Sequence, residues 1–524
     1  MNKNLTKMVH SFLEESALQF PGKNALFASG KWHTYRDLDD QANRLARFIL
    51  KQGLAKGDRV ALLIENSAEY VISYYGILKA GGTTVALNTE STADDIAYVI
   101  GDCGIRYLIA SQRLLARLRP AQEGLPAWPG PDRPGTLEAV FAWGPPASSL
   151  PSVPGVPLAV IPDAYAAESS DNPGVRTIDL DIASIVYTSG STGKPRGAVL
   201  SHLNIVANTR SIVEYLRLTA DDRVMVVLPF YYIYGKSLLN THFAVGGSVV
   251  VDNRFLYPNV ILQTMQEQEV TGFAGVPSTF TILLGRSNVR SRKFPKLRYV
   301  TQAGGAMAPA VQKEVAGTFA PASLFIMYGA TEASARLSYL APEDLRRKWG
   351  SIGKAIPNVE LFVADENGRP LPAGAEGEIV ARGSNIMSGY WSHPEETEKV
   401  LRNGLYYTGD IGRADEEGFL YIVGRTKDMI KIGGNRVSAK EIEEALHEHP
   451  AVAEAAVIGV PDEIMGESPK AFVVIKESFG KDAIEQLPGF LQNHLALYKI
   501  PKIYEIRDSL PKTESGKILK QKLK

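Results

Sequence analysis

The stretch best suited to chemistry is Tyr187-Thr188-Ser189-Gly190-Ser191-Thr192-Gly193-Lys194-Pro195-Arg196-Gly197, which follows the short run Ser184-Ile185-Val186. Glycines let a backbone approach an anion closely, hydroxyls donate to its oxygens, and Lys194 and Arg196 supply positive charge. Taken alone, the stretch is as compatible with a flexible Gly/Ser turn as with a phosphate loop. It is not a Walker A loop, because Pro195 rather than Ser or Thr follows Lys194 and no Gly stands five positions before Gly193. Other chemistries lack their residues. None of the 8 His forms a plausible zinc pair, since His447 and His449, two apart, face different sides of a helix. Ser189 and Ser191 lack the G-x-S-x-G frame of a hydrolase nucleophile.

Further motifs follow in order: Tyr328-Gly329-Ala330-Thr331-Glu332, Tyr406-Tyr407-Thr408-Gly409-Asp410, Gly424-Arg425-Thr426-Lys427-Asp428 and Pro511-Lys512-Thr513-Glu514-Ser515-Gly516-Lys517. With the loop, they make nearly the whole chain resemble the adenylate-forming superfamily of acyl-CoA synthetases, peptide-synthetase adenylation domains and luciferases. The resemblance implies that Thr188, Ser189, Gly190, Ser191, Thr192, Gly193 and Lys194 close over the β- and γ-phosphates of ATP. Arg196 stands where the family usually has Lys, a planar fork in place of a point charge. By the same resemblance Tyr328 stacks on adenine, Thr331 meets the α-phosphate and Glu332 holds Mg2+, which favours hard oxygen ligands. Asp410 would accept from both ribose hydroxyls and Arg425 would bond the ribose. Gly304, Gly305, Ala306, Gly329 and Ala330 would border the nucleotide. Singly, Glu332 reads as a solvated carboxylate, Asp410 as a turn residue, and Lys517 as one cation of a tail that also holds Lys512, Lys520, Lys522 and Lys524. Five motifs in the family's order outweigh those plainer readings. A binding-only protein on this fold would be expected to lose Lys517, Glu332 or Asp410, and all three are present.

The implied reaction is attack of a carboxylate on the α-phosphorus of ATP, giving acyl-adenylate and pyrophosphate, followed by thiol attack, usually by coenzyme A. A carboxylate has no proton to remove, so positioning and cations must supply the catalysis. Lys517 is the expected catalytic cation, with Glu332 and Thr331. In the family the C-terminal domain rotates between the two steps, which places the hinge at Lys427 and brings Lys431, Gly433, Gly434 and Arg436 to the coenzyme A tunnel. Gly433-Gly434 reads equally well as a turn before a helix.

The acyl pocket is expected along Pro229-Phe230-Tyr231-Tyr232-Ile233-Tyr234-Gly235 and Ala303-Gly304-Gly305-Ala306, with Gly329 and the gating residue Tyr232. Amino-acid-activating relatives carry an Asp in the first segment, and no acidic residue lies between Val224 and Val251. An α-ammonium would be left unpaired. A medium- or long-chain aliphatic acid is expected, an aryl acid second, with Gly304, Gly305 and Gly329 leaving room for it. The acceptor is coenzyme A or a carrier-protein thiol.

These residues need a scaffold. Arg36 to Gln52 carries Leu38, Ala42, Leu45 and Ile49 at helical spacing and ends near Gly53. Strands are expected at Arg59–Ile64, Val85–Leu87 and Ala183–Thr188, with a helix through Tyr74 and Leu78 after the first. The rhythm is that of an α/β fold with parallel-type layered sheets. Between Pro120 and Pro162 lie 11 of the 31 prolines, which suggests a surface excursion within one domain rather than core, with a linker between two domains as the alternative. From Pro357 short strands and turns predict a β-rich subdomain. After Arg425 come a helix at Ala439 to Glu448, strands at Ala453–Gly459 and Ala471–Ile475, and a helix starting at Pro488. The expected organisation is a large N-terminal domain, residues 1–424, and a small mobile α+β C-terminal domain, residues 425–524.

Composition agrees with an enzyme of this kind. The 524 residues hold 57 Lys+Arg against 57 Asp+Glu, which argues against a nucleic-acid binder. One cysteine, Cys103, excludes an internal disulfide framework and suits a reducing compartment, so a cytoplasmic location is expected. The N-terminus lacks the apolar core of a secretory signal, and the longest apolar run, Val224 to Gly235, is too short to span a bilayer.

Overall fold

The computed structural model describes residues 7–117, 137–144, 157–161, 165–188, 195–425, 429–432, 435–462, 465–512 and 518–523. The helix read from Arg36 to Gln52 runs Tyr35–Lys51. It opens with a reciprocal cap, Asp37 N to Thr34 Oγ1 at 3.1 Å and Thr34 N to Asp37 Oδ2 at 3.2 Å. Leu38, Ala42, Leu45 and Ile49 are buried, and Gly53, at φ +91°, takes the left-handed turn after the helix.

Two large sheets carry the N-terminal part. One has the spatial order Gly389–Tyr390, Arg196–Ser201, Ile182–Thr188, Thr83–Ala86, Arg59–Leu63, Tyr107–Ser111, Ala139–Trp143 and Leu158–Val160. It is parallel from Ile182–Thr188 to Leu158–Val160. In the other, the strands from Ser323–Tyr328 through Tyr299–Gln302, Gly272–Gly275, Arg223–Val226 and Ser248–Val251 to Asn24–Ala28 are parallel. The largest core joins the facing sides of both sheets through helices that include Tyr35–Lys51, Ala68–Lys79, His202–Leu216 and Ile233–Phe243. Separate cores cover the outer faces, with Met225, Phe273 and Val300 in one and Leu63, Val85 and Leu108 in the other. Both sheets are therefore apolar on both sides, as parallel sheets require.

The proline-rich stretch corrects the expectation of a surface excursion. Its described parts include Ala139–Trp143 and Leu158–Val160, which extend the first sheet in parallel, with Val140, Phe141 and Ala142 buried. The five-residue apolar run Ala139–Trp143 holds no proline, so it pairs on both sides without losing a ladder bond.

The β-rich part is an antiparallel sheet of Val359–Ala364, Glu376–Gly383, Leu401–Arg402, Leu405–Ala414 and Leu420–Arg425. Its core includes Tyr328, Ala333 and Leu337 of the second large sheet's rim. The C-terminal segment forms its own sheet from Met429–Ile432, Asn435–Ser438, Val452–Asp462, Gly466–Ile475 and Ile503–Ile506. Helix Ala439–Glu448 matches the expected bounds, and the second helix runs Leu487–Gln492. Ile442, Leu446, Val457, Val473, Leu487 and Leu491 form a core distinct from those above. Lys440 Nζ donates to the Ile422 carbonyl at 2.6 Å, one tie between the C-terminal segment and the strand before it. No helix among the described residues is long and apolar enough to cross a membrane.

Candidate active site

Thr188, Gln302 and Tyr328 each end a strand of the two large sheets, so the candidate residues gather where the strands deliver their C-terminal ends. Open α/β sheets bind ligands at this edge. Thr188 and Arg196 are partners across an antiparallel pair, which makes Ser189, Gly190, Ser191, Thr192, Gly193 and Lys194 the connection between two strands. Those six residues lie outside the described residues, as do Lys427, Gly433, Gly434 and Lys517. A methyl group on Gly197 would come 2.6 Å from Ile185 Cγ2 and 3.1 Å from the Tyr187 ring, so a side chain there would have to displace its neighbours. Tyr187 Oη in turn donates to Asp102 Oδ2 at 2.5 Å. Arg196 is ion-paired with Glu396 at 2.6 Å and lies over the Tyr390 ring, so its charge is engaged by protein. Cys103 is buried and its thiol is pushed up to about 12, chiefly by desolvation, which makes it a poor nucleophile.

Tyr328, Asp410 and Arg425 form a chain. Tyr328 Oη donates to Asp410 Oδ2 at 2.6 Å, and Arg425 Nε donates to Asp410 Oδ1 at 2.7 Å. Asp410 and Arg425 are cross-strand partners, and Asp410 is 4% exposed. Burial, and then the neighbouring Asp410 charge, drive the Tyr328 phenol well above its usual range, so it stays a donor. Each carboxylate oxygen keeps a second lone pair for an outside hydroxyl.

Thr331 and Glu332 sit in the short 3-10 turn Thr331–Ala333, with Ala330 just before it. Glu332 Oε1 accepts from Tyr390 Oη at 2.8 Å, and burial with the nearby Glu332 charge raises the Tyr390 phenol strongly. The backbone then turns sharply, with Ser334 at φ +54° and Ala335 at φ +117°. Such strain at an alanine persists only where neighbours hold it. Here Ser334 Oγ donates to the Asn385 carbonyl and Asn385 Nδ2 donates to the Ala333 carbonyl. The turn brings the Ala335 carbonyl onto Gly329, where a methyl group would overlap it. The space that sequence reasoning left to an acyl chain at Gly329 is therefore filled by backbone.

Tyr232 stands at the start of helix Ile233–Phe243. Asn66 pins the segment before it, Nδ2 to the Leu228 carbonyl at 2.8 Å and Phe230 N to Oδ1 at 2.6 Å. Gly235 is required because a side chain would overlap the Pro229 carbonyl. Ala303, Gly304, Gly305 and Ala306 follow the strand Tyr299–Gln302, and Gln302 Nε2 holds the Gly305 carbonyl at 2.8 Å. Gly304, at φ +87°, faces Tyr232, whose Oη would lie 3.6 Å from a methyl group there. The structure thus brings Tyr232 beside Gly304, and Ile233 follows it as the first residue of the helix. Lys431 and Arg436 are register partners on the hairpin of Met429–Ile432 and Asn435–Ser438.

Sequence reading missed several groups. Tyr390 and Asn385 hold the Glu332 turn from far along the chain, and Lys236 and Arg336 are buried cations near the pocket helix. Lys236 Nζ donates to Ser184 Oγ at 3.1 Å, and desolvation lowers its pKa to about 7. Lys236 as the one Lys, Arg, Asp or Glu of helix Ile233–Phe243 was the available signal.

Comparison with known proteins agrees with this geometry. Residues 13–391 match the AMP-binding enzyme family and residues 441–517 match the AMP-binding enzyme C-terminal domain. A long-chain-fatty-acid–CoA ligase of Bacillus subtilis (strain 168) is 34% identical over 99% of this chain and 94% of its own. A feruloyl-CoA synthase of Amycolatopsis sp is 32% identical over 95% of each chain. Among solved structures, an anthranilate CoA ligase in complex with anthranoyl-AMP superimposes with a TM-score of 0.88 at 28% identity, covering 99% of this chain and 97% of that one.

Proposed function

Because the chain belongs to the AMP-binding enzyme family and is an AMP-forming carboxylic acid–thiol ligase, we propose that it activates an acid lacking an α-ammonium group. ATP supplies the adenylyl group and coenzyme A takes the acyl group through an acyl-adenylate. The observation that carries the choice of acid is the sign of the buried charge. The pocket helix and its approach offer no anion between Val224 and Val251. Lys236 on that helix and Arg336 against Tyr234 are buried basic side chains, and the flanking buried carboxylates Asp222 and Asp252 are already paired with Arg298 and Arg254. An ammonium there would be desolvated without a partner. A medium- or long-chain aliphatic acid is the first reading. An aryl acid is the second, favoured by the aromatic run Tyr231, Tyr232 and Tyr234 and by the feruloyl and anthranilate relatives.

In this reading Asp410 and Arg425 hold the ribose, Tyr328 packs on adenine, and Thr331 meets the α-phosphate. Thr188, Lys194 and their loop hold the outer phosphates. Glu332 fits Mg2+, since Oε2 takes no protein donor among the described residues and a single carboxylate plus phosphate oxygens suits that ion. Mg2+ there would neutralise phosphate charge. The acid needs no base, because its carboxylate is already the nucleophile. What the protein supplies is alignment and a cation at the α-phosphate, a role given to Lys517. The reading also divides the chain at Arg425 into residues 1–424 and 425–524. Lys427 is the hinge, and Lys431, Gly433, Gly434 and Arg436 line the coenzyme A approach after rotation. A carrier-protein thiol is the alternative acceptor.

The test is ATP–pyrophosphate exchange with a panel of acids, followed by thioester formation with coenzyme A. Octanoate or benzoate should drive exchange better than leucine or phenylalanine. Faster exchange with the amino acids would refute the charge argument. Tyr232→Ala should shift the preferred acid toward bulkier ones, and an unchanged profile would remove Tyr232 from the pocket.

A further inference from the structure

Arg336 is 2% exposed, and among the described residues no carboxylate lies within ion-pair distance of it. Its guanidinium lies over the Tyr234 ring, 4.1 Å from the centroid. Nε meets Met327 Sδ at 3.3 Å and Nη1 donates to the Ala335 carbonyl at 3.0 Å. Sulfur is a weak acceptor, and this one is shared with Tyr215 Oη at 2.9 Å. A guanidinium carries five N–H donors, and Met327, Ala335 and Tyr215 engage some of them without any of the three bringing a negative charge. A cation held this deep without an anion is costly, and a partner that arrives with substrate would offset the cost.

The fold keeps Arg336 in place. Its carbonyl accepts from Asn208 Nδ2 and from Asn385 Nδ2, both at 2.9 Å. Its Cα lies 2.8 Å from where a methyl group on Gly329 would stand. Tyr234, on which it stacks, lies two residues after Tyr232 on the pocket helix and donates Oη to the Thr301 carbonyl at 3.1 Å, two residues before Ala303. Arg336 therefore packs on the pocket helix through Tyr234, which in turn is tied to the strand that leads into Ala303.

We propose that Arg336 is a specificity-determining residue that receives the second carboxylate of a dicarboxylic acid, the first carboxylate being the one activated. This rests on the ligase reading above and narrows its substrate class. A guanidinium fork matches a carboxylate in a two-point contact, whereas a purely aliphatic chain end would leave the charge uncompensated.

The experiment compares kcat/KM for ATP–pyrophosphate exchange between succinate, adipate and suberate and the monocarboxylates butyrate, hexanoate and octanoate. A charge-assisted contact of about 1.5–3 kcal/mol corresponds to roughly 10- to 150-fold. The best dicarboxylate should therefore exceed the monocarboxylate of equal carbon number by at least about tenfold. Arg336→Leu should collapse that ratio and Arg336→Lys should restore part of it. A general loss of folding lowers both rates and does not move the ratio. Preference for the monocarboxylate at every length, a better rate with 3-hydroxybutyrate than with any diacid, or an unchanged ratio in Arg336→Leu would each overturn the proposal while leaving the ligase reading intact. No exchange with any acid would overturn both.

Discussion

If Asp410 is the ribose acceptor, replacing it with Asn changes one atom and one charge, and the consequences can be worked out bond by bond. In the wild type the carboxylate takes Tyr328 Oη on Oδ2 at 2.6 Å and Arg425 Nε on Oδ1 at 2.7 Å. Arg425 can only donate, so the amide oxygen of Asp410→Asn must face it, and the amide nitrogen must face Tyr328, whose hydroxyl can accept. Protein contacts thus survive in weakened form. The Arg425 side chain is 47% exposed, so its lost ion pair is worth less than about 1 kcal/mol. The buried Tyr328 bond falls from charge-assisted to neutral, about 1–2 kcal/mol. Ribose loses more, because the amide nitrogen cannot accept and its oxygen is uncharged. Two weakened hydroxyl contacts amount to about 2–4 kcal/mol, or roughly 30- to 1,000-fold weaker AMP binding. Tyr328→Phe provides the control. It keeps the carboxylate and an aromatic face, so AMP affinity should fall less than about tenfold although a buried acceptor loses its donor. Calorimetric titration of AMP into both variants decides the matter. Asp410→Asn within twofold of wild type, or Tyr328→Phe as damaging as Asp410→Asn, would show that Asp410 serves the fold rather than the nucleotide.

Three further outcomes are expected. Gly329→Ala should be poorly folded or inactive in exchange, because its methyl overlaps the Ala335 carbonyl; wild-type activity with wild-type melting would show that the turn after Glu332 relaxes freely. Lys236 is lowered by burial to about 7 from 10.5, so the unfolded chain binds the extra proton between those values and stability should rise as pH rises from about 7 toward 10. Lys236→Met should melt higher at pH 7 and flatten that rise, and a parallel pH–melting profile in the two proteins would contradict it. Lys517→Ala should lose on the order of 10²–10³ in acyl-adenylate formation yet still convert supplied acyl-adenylate and coenzyme A to thioester. Lys427→Pro should show the reverse, and equal damage to both half-reactions in Lys517→Ala would refute the alternating role.

The sequence determined what depends on neighbours along the chain. Thr34 and Asp37 cap a helix because they are three apart, and Ser438 precedes the amphipathic helix Ala439–Glu448 for the same local reason. The motifs named ligand-type residues at fixed spacing, and the structure sets Thr188, Gln302 and Tyr328 at strand ends where such residues can meet. The proline-rich stretch misled because composition was averaged over a window longer than the strand Ala139–Trp143 inside it. Tertiary structure alone decided which groups face one another. Tyr390 reaches Glu332 across 58 residues and Tyr328 reaches Asp410 across 82; sheet pairing sets these contacts, and no periodicity encodes them. Nor could spacing show that the room beside Gly329 is filled by the Ala335 carbonyl. The charge states of Lys236 and Tyr328 likewise follow from desolvation by distant segments. Arg336 reads in sequence as an ordinary cation. Only burial on Tyr234, without an anion, makes it a candidate for recognising substrate.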